Sequence, residues 1–140
     1  MPPIDFTTEF GQRALKRLQD EQVIWLSTTS PNGTPQPSPV WFVWKDDRVL
    51  IYSQPDTPKI RGIQHNPHVA LNLNATSSGD DVVIFGGTAE ILGTEPSSDK
   101  IAGYQAKYAS SISGLGYTPE RFSADYSVVI QVTPEKLRGF

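Results

Sequence analysis

The segment VIWLSTTSPNGTPQPSPVWFVWKDDRVLIYS, residues 23 to 53, constrains the fold of this chain more than any other. It is rich in β-branched and aromatic residues, which favour strands. Asn32-Gly33 is typical of a hairpin turn, and Asp46-Asp47 predicts a second turn. We therefore predict three consecutive antiparallel strands, at about 23–30, 35–45 and 48–53.

Three prolines fall at alternate positions of the second predicted strand, at Pro35, Pro37 and Pro39. A proline has no N–H to donate to a neighbouring strand, so this spacing leaves one side of the strand without donors. The pattern predicts a strand at the edge of its sheet.

The rest of the chain predicts three more strands and several helices. Gly86-Gly87 inside the fifth strand indicates a bulge or a close backbone approach. Six antiparallel strands with helices at the margins predict a mainly β fold, a small barrel formed by one domain over residues 1–140. The later strands are predicted at 68–75, 81–93 and 126–132. Helices are predicted from Thr7 or Thr8 to about Gln22, at 57–66 and at 97–109. A flexible loop is predicted at 110–118, followed by a helical turn at 119–122.

Charge and composition exclude several classes of function. With 12 basic and 15 acidic residues the formal net charge is −3, which argues against a nucleic-acid partner. The chain has no cysteine, which rules out disulfides and thiol catalysis. No segment approaches the ~18 consecutive apolar residues of a membrane helix, and the first residues lack a signal-peptide pattern. We therefore expect a cytoplasmic protein without a membrane association.

The predicted helix at 57–66 carries two cations near its start, Lys59 and Arg61, where the helix dipole is already positive. With Thr57 as N-cap and a proline after it, free backbone N–H groups there would bind a phosphate or a carboxylate. Lys59 would add a full charge, and Ser53, at the end of the preceding strand, would add a hydroxyl. The alternative is that both cations are ordinary solvated surface residues.

The segment PSPVWFVW, residues 37–44, places aromatic side chains on both faces of one strand. Residues 41 and 43 face one side, while residues 42 and 44 face the other. One face is expected to belong to the core. The other face either flanks a planar ligand or contacts a partner subunit.

The two histidines of the chain, His65 and His68, are spaced as H-x-x-H. A metal pair would need both on one helix face, but Pro67 ends the helix between them. We therefore predict no metal site.

Taken together, these segments resemble the pyridoxamine 5′-phosphate oxidase-like split-barrel flavoproteins, and most closely their deazaflavin (coenzyme F-420)-dependent branch. The most specific part is a strand ending in Tyr-Ser, a lysine six residues later, and Asn-Pro before the next strand. The resemblance implies an FMN-binding type of split barrel that works as a homodimer, with cofactors in clefts between the subunits. It rests on WLSTTSPNGTPQPSPVWFVW, IYSQPDTPKIRGIQHNPHVAL, VVIFGGTAEIL and YSVVIQVTPEKLRGF, in that order.

The resemblance also implies which residues hold the cofactor. Ser53 and Lys59, helped by Thr57, would contact its phosphate, and Arg61 would meet the same phosphate or the acidic tail of a deazaflavin. The strand SPVWF would run along the ring system, with backbone groups from position 40 to position 42 bonding its polar edge. The implied cofactor-binding residues are Ser38, Val40, Trp41, Phe42, Ser53, Thr57, Lys59 and Arg61.

These implications favour a deazaflavin-dependent reductase that transfers a hydride to a small hydrophobic substrate. FMN is the alternative cofactor, although the FMN-using oxidases usually have a second basic residue where Pro58 stands here. A third interpretation is a non-enzymatic carrier of flavin, haem or a bilin, since a fold does not fix a function. No catalytic acid or base stands out, and Tyr52, Tyr117 and Arg121 are candidates only for the substrate side.

Overall fold

The computed structural model describes residues 4–140, in which four helices flank one seven-stranded antiparallel sheet. The helices are α1 (Glu9–Asp20), α2 (Pro58–His65), α3 (Ala102–Gly114) and α4 (Pro119–Asp125), and a short 3₁₀ turn covers Ser98–Lys100. The strands are β1 (Ile24–Thr29), β2 (Pro35–Val40), β3 (Phe42–Lys45), β4 (Arg48–Ser53), β5 (His68–Asn72), β6 (Val83–Gly93) and β7 (Val128–Gly139). Within this range no helix is both long enough and apolar enough to cross a lipid bilayer.

The strand order β2-β1-β5-β6-β7-β4-β3 places β2 and β3 at opposite edges of the sheet. These two strands are nevertheless consecutive in the chain, separated by Trp41 alone. The Cα atoms of Val40 and Phe42 are at most ~7 Å apart, because each residue extends a chain by ~3.3–3.6 Å. The sheet must therefore curl until its two edges meet at Trp41, which makes it a split barrel.

This junction corrects the prediction of six strands. The predicted strand 35–45 is two strands, since Pro35–Val40 pairs with β1 and Phe42–Lys45 pairs with β4. The alternation of side chains continues through the junction, so the pattern gives no sign that the chain changes partners there. The mainly β barrel itself is confirmed, and so is the proline-rich edge, because β2 pairs with β1 only.

The turns and the bulge are where the sequence predicts them. Asp46 and Asp47 both have positive φ, 52° and 59°, as a tight hairpin turn requires. The pairing of β6 with β7 shifts register between Gly86 and Gly87. A Cβ atom on Gly87 would lie 2.3 Å from the carbonyl oxygen of Thr133, so the glycine allows two backbones to come this close.

The helices follow the predicted positions, except that the helix predicted at 97–109 begins at Ala102, after the 3₁₀ turn, and continues past its predicted end. Thr8 caps α1, because its hydroxyl accepts the Gly11 N–H at 2.9 Å. The predicted flexible loop at 110–118 is wrong over its first half, since α3 continues to Gly114. The physical reason is Ile112, which lies one turn beyond Tyr108 and is buried with it, so the apolar face of the helix extends past the serines that suggested a loop.

The curled sheet is covered by apolar groups on both faces. One cluster fills the barrel and includes Phe42, Ile51 and Ile130, while a second lies outside, between the sheet and α3 and α4. The strand β4 serves both, since Val49 and Ile51 belong to the first cluster and Leu50 and Tyr52 to the second. The predicted two-faced aromatic strand is confirmed, because positions 42 and 44 pack with the barrel core and positions 41 and 43 with the outer cluster.

Candidate functional site

A cleft of about 240 Å³ opens where β4 ends, beside the junction of β2 and β3 and the start of α2. One half of its lining is polar and the other half is aromatic. We call these the polar half, formed by Ser53, Gln54, Thr57 and Lys59, and the aromatic half, formed by Trp41, Tyr52, Tyr104, Phe122 and Tyr126; Pro39, Val40 and Leu115 complete the lining.

The polar half is built from the end of β4 and the start of α2. Ser53 is 2% exposed, its hydroxyl donates to the carbonyl of Gln54 at 2.7 Å, and it lies 3.1 Å from the hydroxyl of Thr57. Thr57 occupies the N-cap of α2, yet its side chain makes no capping hydrogen bond. Two hydroxyls thus lie beside a helix end whose N–H groups are not all used.

Lys59 brings a half-buried ammonium group to the same place. It lines the cleft, and it forms no ion pair or hydrogen bond with any residue from 4 to 140. Burial lowers the pKa of this ammonium, because the charged form loses hydration without gaining a counter-ion. An anion in the polar half would restore the lost interaction, and helix N-termini are favourable positions for anions.

Arg61, the second cation of this helix, has a different environment. It is exposed, and its guanidinium donates to the carbonyl oxygen of Asp56 at 2.5 Å. It does not line the cleft. The structure therefore separates the two cations at the start of α2: Lys59 lies in the cleft, while Arg61 binds the loop that precedes the helix.

Trp41 forms the wall of the aromatic half at the barrel junction. Its ring lies nearly parallel to that of Tyr108, at an angle of 9° with centroids 4.6 Å apart. It is also stacked on Phe122, with centroids 5.7 Å apart. The indole is thus fixed by packing against α3 and α4.

The residues around Trp41 on the same segment differ in whether they line the cleft and whether their polar groups already have hydrogen-bond partners. Val40 lines the cleft, and Ser38 does not, although its hydroxyl oxygen is buried and has no hydrogen-bond partner within residues 4–140. Both backbone groups of Phe42 are occupied, because its N–H donates to Tyr108 at 2.9 Å and its carbonyl accepts from Lys107 at 3.1 Å. Ser38, Phe42 and Arg61 thus lie outside the cleft lining, and the cofactor contacts implied for all eight residues stay predictions.

The cleft also contains residues that sequence reasoning did not single out as site residues. Tyr104, Phe122 and Tyr126 come from α3, α4 and the residue after α4, about 50 to 70 positions from the polar half in the chain. The spacing of Tyr104 and Tyr108 does predict one buried helix face. It does not distinguish a ring that reaches a cleft from one that is fully enclosed.

The fold and this cleft define a split-barrel protein whose single described cleft has one polar end, with Lys59, and one aromatic end. Residues 10–140 match the family model described as pyridoxamine 5′-phosphate oxidase, and the chain belongs to that family. No curated protein sequence matches the chain.

Solved structures share the fold at low sequence identity. An F420 reductase is 24% identical with a TM-score of 0.64, covering 88% of this chain and 94% of that one. The haem storage protein HutZ of Vibrio cholerae is 14% identical with a TM-score of 0.66, covering 94% and 95%. A FAD-binding protein of Mesorhizobium loti is 19% identical with a TM-score of 0.60, covering 90% and 88%. At these identities the likeness concerns the fold, and the ligands of those proteins do not transfer to this chain.

Proposed function

We propose that this protein is a deazaflavin (coenzyme F-420)-dependent reductase that transfers a hydride to a small hydrophobic substrate. The observation that carries the proposal is the half-buried ammonium of Lys59, which has no partner among residues 4–140 and lies at the start of α2 in the cleft. A half-buried cation without a counter-ion is costly, and a ligand phosphate would remove that cost. Ser53 and Thr57 would add hydroxyl contacts to the same phosphate.

The ring system of the cofactor would lie against Val40 and Trp41, with the buried hydroxyl of Ser38 as a further contact on β2. When bound, a deazaflavin supplies the hydride chemistry. The residues of this chain bind the phosphate, hold the ring against a rigid indole and exclude water from the aromatic half. The F420 reductase among the structural neighbours supports this choice of cofactor only through the shared fold.

FMN is the second candidate, because one lysine, a helix N-terminus and two hydroxyls are sufficient groups for its phosphate. A haem carrier is less favoured by the lining residues. Haem iron is held mostly by histidine, cysteine or methionine, and more rarely by tyrosine; the cleft lining within residues 4–140 contains tyrosines but none of the three commoner ligands. The two histidines, His65 and His68, are exposed and lie outside it.

We also propose that the functional form is a homodimer with the cofactor between the subunits. The cleft volume of about 240 Å³ is below the ~300–1,000 Å³ of typical small-molecule sites. A second subunit would provide the missing wall. Leu115, at the mouth of the cleft, is 63% exposed and is available for such a contact.

A side-by-side titration of apo-protein with coenzyme F-420 and with FMN, followed by quenching of tryptophan fluorescence, tests the proposal. Of the three tryptophans only Trp41 lines the cleft, so it should give the largest share of the quenching. Tighter binding of F-420 supports the reductase, and tighter binding of FMN supports the second candidate. Binding of neither cofactor would contradict both.

A further inference from the structure

The tyrosine hydroxyls in and around the cleft differ in whether the protein uses them. Those of Tyr52, Tyr108 and Tyr117 each donate to an acceptor within the chain, at 2.7, 2.5 and 2.9 Å respectively. Tyr104 and Tyr126 also line the cleft, and their hydroxyls make no hydrogen bond with any residue from 4 to 140. The cleft therefore contains two phenols whose hydrogen-bonding capacity is free for a ligand.

Tyr104 is the more rigidly held of these two phenols. Its side chain is 1% exposed, and its ring meets Tyr52 edge-on at 5.0 Å and Tyr108 at 4.7 Å. Its hydroxyl is not enclosed in the way that the unpartnered oxygens of Thr28 and Ser98 are. Because Tyr104 lines the cleft, the cleft is the opening that reaches it. A fixed ring with a free hydroxyl is a preorganised donor.

The surroundings of Tyr104 indicate which ligand group it would meet. Burial, and then the neighbouring phenols of Tyr108, Tyr52 and Tyr126, raise the pKa of Tyr104, so its hydroxyl keeps its proton at physiological pH and serves as a donor. The aromatic half contains no cation, and the one cation of the described lining, Lys59, belongs to the polar half. An anionic acceptor would lose hydration there without a counter-charge, so the acceptor should be neutral.

We infer that Tyr104 is the hydrogen-bond donor that recognises a carbonyl oxygen on a planar, uncharged aromatic substrate in the aromatic half of the cleft. The inference rests on the proposed function and deepens it, since the ligand it describes is the substrate of that reductase. Tyr104 is a binding and positioning residue. A carbonyl held by its hydroxyl fixes the orientation of the substrate in the aromatic half, and the hydrogen bond withdraws electron density from any double bond conjugated to that carbonyl.

The test compares two bicyclic probes of the same skeleton, 1-indanone and indane, which differ by one carbonyl oxygen. Their dissociation constants are measured by ligand-observed NMR titration on wild-type protein and on Tyr104→Phe. We expect Tyr104→Phe to weaken 1-indanone binding about 3- to 10-fold and to leave indane within about twofold, as for the loss of one neutral hydrogen bond. Indane binding also serves as the test of folding for the variant.

Two further variants make the assignment specific. Tyr126→Phe removes the other free phenol, and Tyr117→Phe removes a hydroxyl that lies outside the cleft lining. Both should leave the preference for the ketone unchanged. The inference is overturned if Tyr104→Phe weakens both probes equally or neither, if Tyr126→Phe carries the effect instead, or if 1-indanone does not bind. Since neither probe requires a cofactor, the result is independent of whether F-420 or FMN binds.

Discussion

The hydroxyl of Tyr108 accepts the backbone N–H of Phe42 at 2.9 Å, which ties α3 to the point where the two edges of the sheet meet. The same hydroxyl donates to the carbonyl of Gln22 at 2.5 Å, and the ring stacks on Trp41. One buried side chain thus connects the closing point of the barrel, the segment before β1 and the wall of the cleft.

Tyr108→Phe should therefore lower the free energy of unfolding by about 1–3 kcal/mol, because it leaves the buried N–H of Phe42 without a partner. The stacking on Trp41 is retained, so the loss reports the hydroxyl alone. Urea denaturation measures it, with Tyr117→Phe as the control, whose exposed bond to Asp125 should be worth less than about 0.5 kcal/mol. Equal losses in the two variants would show that the Tyr108 hydroxyl does not stabilise the fold through the buried N–H of Phe42.

Two adjacent glycines on β6 offer a matched test of the close approach between β6 and β7. Gly87→Ala should destabilise the fold by about 1–3 kcal/mol or more, since its Cβ would lie 2.3 Å from the carbonyl oxygen of Thr133. Gly86→Ala meets no atom within 4 Å, so it should be neutral or slightly stabilising. Thermal denaturation compares the melting temperatures of the two variants. If Gly86→Ala is as unstable as Gly87→Ala, the close approach of β7 at Gly87 is not the cause of the loss.

Stability should rise as the pH increases from about 8 towards 10, because Lys107 is half-buried against Phe42. Burial lowers the pKa of Lys107 to about 8, whereas a lysine in an unfolded chain titrates at ~10.4. Between these values the unfolded chain binds more protons than the folded one, so the free energy of unfolding increases with pH. Lys107→Met should reduce this rise to the smaller part that Lys59, whose pKa is also lowered by burial, contributes.

Above ~pH 10 the buried tyrosines act in the opposite direction. Burial raises the pKa of Tyr52 to about 12 and raises that of Tyr104 as well. The folded chain then keeps protons that the unfolded chain releases, and stability falls. Urea denaturation of wild type and Lys107→Met at about pH 7, 8.5, 10 and 11 tests both directions; a rise of unchanged size in Lys107→Met would assign it to other groups.

Much of the fold is predictable because its signals are local. Asn32-Gly33, Asp46-Asp47 and the alternating prolines each fix a turn or an edge through the chemistry of one or two residues. The division of the predicted strand 35–45 is different, since it depends on which strands pair. That choice is made by residues far apart in the chain, and the local pattern is the same on both sides of Trp41.

The candidate site also has a part that the sequence predicts locally and a part that depends on packing between distant segments. Ser53, Thr57 and Lys59 lie within one strand end and one helix start, so a sequence reading can bring them together. Two residues apart on a helix do not share a face, which is why Arg61 does not accompany Lys59 into the cleft. Tyr104 enters the site only through the packing of α3 on the outer face of the sheet, for which the sequence gives no local sign.

The most direct test of the central claim compares Lys59→Ala with Arg61→Ala. Both remove one cation from the start of α2, but only Lys59 lines the cleft. Titration with coenzyme F-420 and with FMN should show that Lys59→Ala weakens the bound cofactor by roughly 1.5–3 kcal/mol, the value of a charge-assisted hydrogen bond. Arg61→Ala should change the affinity much less. If Lys59→Ala binds as tightly as wild type, or if Arg61→Ala carries the larger loss, the phosphate does not bind beside Lys59 at the start of α2.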